Sequence, residues 1–193
     1  MIKTKFMSML CVLLATFSFA QNNSATITYK GEINTRYVDS FLTALQNNKD
    51  VPMAAKQQVA DMYYNGQPED FILNIHAQES YYYLDPTLEK EDGYNIGSYA
   101  DKAPFYTNTS EGKIIRISPT IGLVSLEPLE WNLTGKTKKI GNYTCQQAIT
   151  NERLFSRQGH YYTKQVAVWF APEIPLNFGP QNYTGLPGLI LQV

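Results

Sequence analysis

From Phe71 onward the chain is dominated by short segments in which residues alternate between apolar and polar positions. Phe71, Leu73, Ile75 and Ala77 alternate with Ile72, Asn74, His76 and Gln78, the period of a half-buried strand. Further segments rich in β-branched and aromatic residues predict strands at 81–84, 113–117, 121–126 and 142–149. The segment 166–170 is apolar at every position and predicts a strand covered on both faces. So many strands restrict the chain to a β-rich architecture.

The first part of the chain has a different period. A strand is predicted over 25–33, and then Tyr37, Phe41 and Leu45 recur every four residues, as on one face of a helix. A second helix is predicted to begin near Pro52 and to end near Gly66. The acidic segment 85–95 is predicted to be a surface loop. Two helices followed by a run of strands predict an α+β, β-rich fold with one curved antiparallel sheet.

The N-terminus has the layout of a secretory signal peptide. Lys3 and Lys5 precede the apolar run 6–17, and Ser18 and Ala20 supply small residues before a cleavage site at Gln21. The run is shorter than the roughly 20 apolar residues that span a bilayer. We therefore expect a signal peptide over 1–20, a single β-rich domain over 21–193, and no transmembrane segment after cleavage.

Removal of the signal peptide also removes Cys11, so Cys145 becomes the only cysteine and no internal disulfide is possible. Stability must then come from a hydrophobic core. Without Lys3 and Lys5, the 16 basic residues fall to 14, against 17 acidic ones. A weakly acidic chain with scattered charges is not expected to bind nucleic acid.

Sequence signatures of common enzyme classes are missing. There is no G-x-S-x-G, H-E-x-x-H or C-x-x-C motif and no phosphate-binding glycine loop. His76 and His160 are predicted to face solvent, and Cys145 is predicted to be a buried, unreactive thiol. We therefore predict no catalytic residue, no metal ligand and no cofactor. A hydrolase that uses scattered carboxylates or Cys145 is the enzymatic alternative.

Aromatic residues supply the candidate binding surface. Tyr81, Tyr82 and Tyr83, together with Tyr161 and Tyr162, could line a groove for an apolar ligand or a sugar. Alternating aromatics on a sheet are also explained by core and cross-strand packing. The candidate binding residues are Tyr81, Tyr82, Tyr83 and Trp169.

The most specific stretch is at the C-terminus. The hexapeptide consists of Gly185, Leu186, Pro187, Gly188, Leu189 and Ile190. Pro187 and Gly188 suit the second and third positions of a type II turn, in which the glycine has φ > 0. Prolines at 172, 175 and 180 predict a rigid irregular connection between two buried strands. Because the hexapeptide contains no nucleophile, acid, base or metal ligand, we interpret it as a structural turn.

With the blocks that precede it in order, 139–145, 169–175 and 179–180, this hexapeptide resembles the GLPGLI family of exported bacterial proteins. The resemblance implies a periplasmic or secreted envelope protein of a Gram-negative bacterium, and no activity is established for the family. The strand-rich pattern is similar to the half-barrel of periplasmic lipoprotein carriers, which cradles an apolar ligand. The chain ends three residues after the hexapeptide, as expected for a truncated chain or a short member.

Three hypotheses follow. The leading one is a non-enzymatic envelope protein that binds an apolar small molecule or an envelope protein. The second is a secreted hydrolase, and the third is a purely structural envelope component. A cavity within the sheet would favour the ligand-binding protein. Converging carboxylates would favour the hydrolase. A solid core with an exposed apolar face would favour the structural component.

Overall fold

The computed structural model of the protein describes residues 24–86, 101–156 and 159–193. These residues form two helices and ten strands, so the predicted α+β, β-rich class is confirmed. The elements, in chain order, are β1 (Ser24–Gly31), α1 (Thr35–Asn47), α2 (Met53–Tyr64), β2 (Glu69–His76), β3 (Glu79–Leu84), β4 (Phe105–Asn108), β5 (Lys113–Ser118), β6 (Gly122–Leu126), β7 (Asn132–Ile140), β8 (Tyr143–Phe155), β9 (Tyr161–Ala171) and β10 (Leu189–Gln192).

The strands divide between two sheets rather than forming the single sheet that was predicted. Strands β1 to β6 form the N-terminal sheet in chain order, and β10, β9, β8 and β7 form the C-terminal sheet, with every pairing antiparallel. The division falls at the segment 127–131, where Pro128 cannot donate to a ladder. After this interruption each strand pairs with its neighbours in sequence, as short connections favour.

The two helices form a hairpin inserted between β1 and β2. The side chain of Asn34 caps α1 by accepting a 3.1 Å hydrogen bond from the Tyr37 amide. Of the predicted apolar stripe, Phe41 and Leu45 are partly buried and Tyr37 is exposed, whereas Val38 and Leu42 beside them pack with Ala60 of α2 in a cluster of their own. No helix of the described residues has the length and apolar character needed to cross a membrane.

The core of the N-terminal sheet follows the predicted alternation. Phe71, Leu73 and Ile75 of β2 are buried on one face, beside Tyr82 of β3 and Phe105 of β4. The side chains that cover this face come from the other end of the chain, namely Ile174, Leu176, Phe178, Leu189 and Leu191.

The C-terminal sheet buries a second cluster. It consists of Ala148, Val166, Val168 and Phe170 from β8 and β9, against which Tyr183, Leu186 and Ile190 pack. The prediction that 166–170 is covered on both faces is wrong, since Ala167 is exposed between buried Val166 and Val168. Between Val166 and Phe170, strand β9 therefore alternates like an ordinary half-buried strand.

Two strands were not predicted. Strand β4 has only four residues, and β7 is rich in polar residues and contains Gly135, which has φ of 74° near a register shift. Their positions in the sheets come from pairing with neighbours, which local pattern does not reveal. The predicted signal peptide lies outside the described residues, as does most of the predicted loop 85–95.

Candidate functional site

The hexapeptide lies where the two hydrophobic clusters meet. It follows residues 172–184, which with 185–188 form the C-terminal connection between β9 and β10. Leu186 and Ile190 pack into the cluster of the C-terminal sheet, whereas Leu189 packs into the cluster of the N-terminal sheet. Consecutive side chains of β10 thus enter different cores, as the period of two of a strand requires.

The backbone of the hexapeptide differs from the predicted type II turn. The amide of Gly188 donates to the carbonyl of Leu186 at 2.8 Å, which is the i to i+2 bond of a γ-turn centred on Pro187. The amide of Leu189, which would close a type II turn, instead donates to the carbonyl of Ile174 at 3.0 Å. Tertiary pairing with the connection therefore overrides the local turn preference.

Gly188 is required for close approach. A Cβ atom at this position would lie 2.3 Å from the carbonyl oxygen of Ala171 and 2.9 Å from Cα of Pro172. Its φ of 156° lies at the edge of the region that favours glycine. Gly185 has φ of 89°, but a Cβ there would meet no atom within 4 Å. The two glycines of the hexapeptide thus serve different purposes.

The outer edge of β10 is closed by the chain itself. The amide of Ile190 donates to the carbonyl of Phe178 at 3.0 Å. The hydroxyl of Tyr29, from β1 of the other sheet, donates to the carbonyl of Ile190 at 2.7 Å. Because the outward backbone groups of Ile190 are already hydrogen-bonded, they are not available to pair with an added strand.

One carboxylate beside the connection was missed by the sequence analysis. Glu152 of β8 accepts hydrogen bonds from the side-chain amide of Asn182 and the hydroxyl of Tyr183, both at 3.3 Å. Burial raises the pKa of Tyr183, and the nearby Glu152 raises it further. The indole of Trp131 donates to the carbonyl of Thr184 at 2.8 Å. These contacts hold the connection against β8 and against the segment that precedes β7, and they could be found only from the three-dimensional structure.

The three consecutive tyrosines of β3 face opposite sides of the sheet. Tyr82 is 3% exposed and stacks on Phe71 with ring centroids 5.4 Å apart, so it lies in the core and offers no surface. Tyr81 and Tyr83 lie on the outer face with centroids 5.4 Å apart. Only these two of the three are placed where they could meet a ligand.

Trp169 is in the other sheet, apart from these tyrosines. It lies on β9, and the ammonium group of Lys138 sits 4.4 Å from the centre of its ring. The same ammonium group contacts the side chain of Gln192. The four candidate binding residues are therefore divided among a core, an outer face and a second sheet.

The remaining chemical candidates are separated as well. Cys145 is fully buried, and burial raises the pKa of its thiol. His76 and His160 are exposed, with Nδ1 atoms 2.9 Å and 3.1 Å from the hydroxyls of Ser24 and Ser156. Within residues 24–86, 101–156 and 159–193, no three His, Cys, Asp or Glu side chains are grouped as metal ligands.

The most exposed aromatic cluster is at the far end of β8 and β9. We call residues 151–155 and 161–165 the hairpin arm. The rings of Phe155 and Tyr161 meet edge to face with centroids 4.9 Å apart, and the guanidinium of Arg153 lies 4.1 Å from the Tyr161 ring centre. Tyr162 is exposed beside them.

Comparison with known proteins gives one match. A model of a family described as "Protein of unknown function (Porph_ging)" matches residues 157–192, which contain β9, the C-terminal connection and β10. No curated protein and no solved structure matches the chain.

Proposed function

We propose that this chain is an exported, non-enzymatic envelope protein of the GLPGLI family that contacts a partner protein through its hairpin arm. Family membership is supported by the unbroken hexapeptide 185–190 within the matched segment 157–192. Export is supported by the charged, apolar and small-residue regions of the first 20 residues.

In this proposal the hexapeptide fastens the two sheets together and does not contact a ligand. Leu186, Leu189 and Ile190 are buried, and Gly188 presses against the backbone of Ala171. Burial of a Leu or Ile side chain contributes about 1.5–3 kcal/mol relative to exposure. The hexapeptide residues therefore contribute to the stability of the fold and are not available to a binding surface.

The arrangement of the core favours a protein partner over an apolar small molecule. In a half-barrel carrier the ligand would lie against the apolar face of the sheet. Here that face, with Phe71 and Leu73, is covered by Phe178 and Leu189 of the same chain. A ligand could enter only by displacing them, at the cost of their buried contacts.

The hairpin arm is the observation that carries the proposal. The pairing of β7 with β8 ends at Ile149, and the pairing of β10 with β9 begins at Trp169. The two strands of the arm therefore pair only with each other among the described residues. Phe155, Tyr161 and Tyr162 are 62%, 60% and 46% exposed. Exposed aromatic residues beside an arginine have the composition of interface hot spots.

The proposal is tested in the exporting bacterium by replacing Phe155 with a photo-crosslinking amino acid. As the control, the same amino acid replaces Tyr64 of α2, which is also exposed. We expect one discrete protein adduct from position 155 and none from position 64. The purified adduct partner should then bind the native protein, and Tyr161→Ser should weaken binding while Tyr64→Ser does not. Equal crosslinking from both positions, or full binding by Tyr161→Ser, would contradict the proposal.

A further inference from the structure

The four outer strands of the two sheets differ in how they are protected against pairing. The edge of β10 is covered by the C-terminal connection and by Tyr29. Strand β7 carries three lysines and a register shift, and β1 carries Lys30. Strand β6, Gly-Leu-Val-Ser-Leu, contains no charge, no proline and no bulge. Natural edge strands usually carry at least one such device.

The free side of β6 presents backbone groups of Leu123 and Ser125. The amide of Ile117 on β5 donates to the carbonyl of Pro104, away from β6, at 2.8 Å. Backbone groups of successive residues point to opposite sides of a strand, so the N–H and C=O groups of Arg116 point towards β6. They pair with the backbone groups of Val124, the register partner of Arg116, which therefore point towards β5. The N–H and C=O groups of Leu123 and Ser125 then point outward, where no other described strand pairs with them.

We infer that β6 is the dimer interface of this protein and pairs with β6 of a second copy in antiparallel orientation about a two-fold axis at Val124. In this register Leu123 of each copy faces Ser125 of the other, and the pair exchanges two hydrogen bonds at each of two sites. No charged side chain faces one of the same sign. Pro119 and Pro128 bound the ladder at both ends.

The side chains of β6 agree with a second copy as the occupant. Ile121 and Leu123 are 75% and 71% exposed. Leu123 shares the outer face with Ile117, its register partner on β5. In this register Leu123 lies diagonally across the joint from Leu123 of the second copy, so the outer apolar strip that it forms with Ile117 continues into the second copy. A two-fold contact also closes on itself and does not propagate into filaments.

The test measures the mass of the signal-free protein by sedimentation velocity over a range of concentrations. We expect a concentration-dependent dimer. Ser125→Pro removes only outward donors, one in each copy, and should raise the dissociation constant about tenfold or more. Leu123→Lys should also dissociate the dimer, whereas Leu133→Lys, an equally drastic change at an exposed leucine of β7, should not.

The register is tested by cysteine crosslinking. Val124→Cys places two thiols opposite each other at a non-hydrogen-bonded pair, with Cα atoms about 4.5 Å apart. Mild oxidation should yield a covalent dimer, whereas Leu123→Cys, whose counterpart is out of register, should crosslink far less. A monomer at every concentration, a dimer unaffected by Ser125→Pro, or equal crosslinking from both cysteines would overturn the inference.

Discussion

The hydroxyl of Tyr29 in β1 and the carbonyl of Ile190 in β10 are joined by a 2.7 Å hydrogen bond between residues 161 positions apart. Tyr29 belongs to the N-terminal sheet and Ile190 to the C-terminal sheet. The bond connects the two sheets directly, at the strand whose side chains enter both cores.

Replacing Tyr29 with phenylalanine should therefore destabilise the protein. The substitution keeps the ring and leaves the carbonyl of Ile190 without its donor, which costs about 1–3 kcal/mol for a buried acceptor. Urea denaturation followed by circular dichroism measures the change. Tyr64→Phe, at an exposed tyrosine of α2, is the control and should leave the midpoint unchanged. Equal midpoints for all three proteins would show that the bond contributes nothing.

Stability should fall at alkaline pH. Burial raises the pKa of Tyr29, Tyr82 and Tyr183 above the ordinary value of 10.0. In the unfolded chain these phenols lose protons near pH 10, while the folded protein retains them, so the unfolded state gains stability as the pH rises. The stabilisation is complete below pH 10 and is lost above it. We expect Tyr29→Phe to show a shallower loss in denaturation midpoints measured on both sides of pH 10.

Cys145 should be unreactive in the folded protein. It is fully buried, and its raised pKa keeps the thiol protonated. A thiol reagent should label it only after denaturant is added, whereas a cysteine introduced at exposed Leu133 should react at once. Rapid labelling of native Cys145 would restore the hydrolase hypothesis that uses this residue.

If the protein is exported as proposed, its mature form should begin at Gln21. The small residues Ser18 and Ala20 define the expected cleavage site. Mass spectrometry of protein recovered from the periplasm or the medium gives its N-terminus. Recovery of a chain that retains Met1 in the cytoplasm would contradict the proposed location.

The sequence predicts those parts of the fold that have a local pattern. The stripe of Phe41 and Leu45 and the alternation from Phe71 to His76 predict their elements because each repeats several times within one segment. Ala77 and Gln78, which were predicted to continue the strand, form the turn to β3. The division into two sheets could not be predicted, since pairing is decided between distant segments. Strand β7 was missed because its polar residues face solvent on both sides.

The same limit applies to the candidate site. Pro187 and Gly188 predict a type II turn in which the glycine has φ > 0, and the positive φ is observed in a γ-turn instead. The contact of Gly188 with Ala171 and the bond from Tyr29 depend on how β9 and β1 are placed, which no local pattern encodes. The consecutive tyrosines at 81–83 were predicted to line one binding surface, but successive residues of a strand face opposite sides, so Tyr82 lies in the core.

The proposal that the hexapeptide fastens both sheets gives different expectations for its two glycines. Gly185→Ala introduces backbone strain only and should cost about 1 kcal/mol. Gly188→Ala adds a Cβ against the backbone of Ala171, and overpacking of this kind costs about 1–3 kcal/mol. Comparing the two variants therefore distinguishes the general effect of losing a glycine from the effect of disrupting the junction between the sheets.

Hydrogen–deuterium exchange of the Gly188→Ala protein, compared with Gly185→Ala and the native chain, tests the fastening role most directly. Loss of the junction should accelerate exchange in β2 of the N-terminal sheet and in β9 of the C-terminal sheet, because Leu189 and Ile190 pack into both cores. Gly185→Ala should change exchange little in either strand. Faster exchange confined to residues around 188, with β2 and β9 as protected as in the native chain, would contradict the fastening role of the hexapeptide.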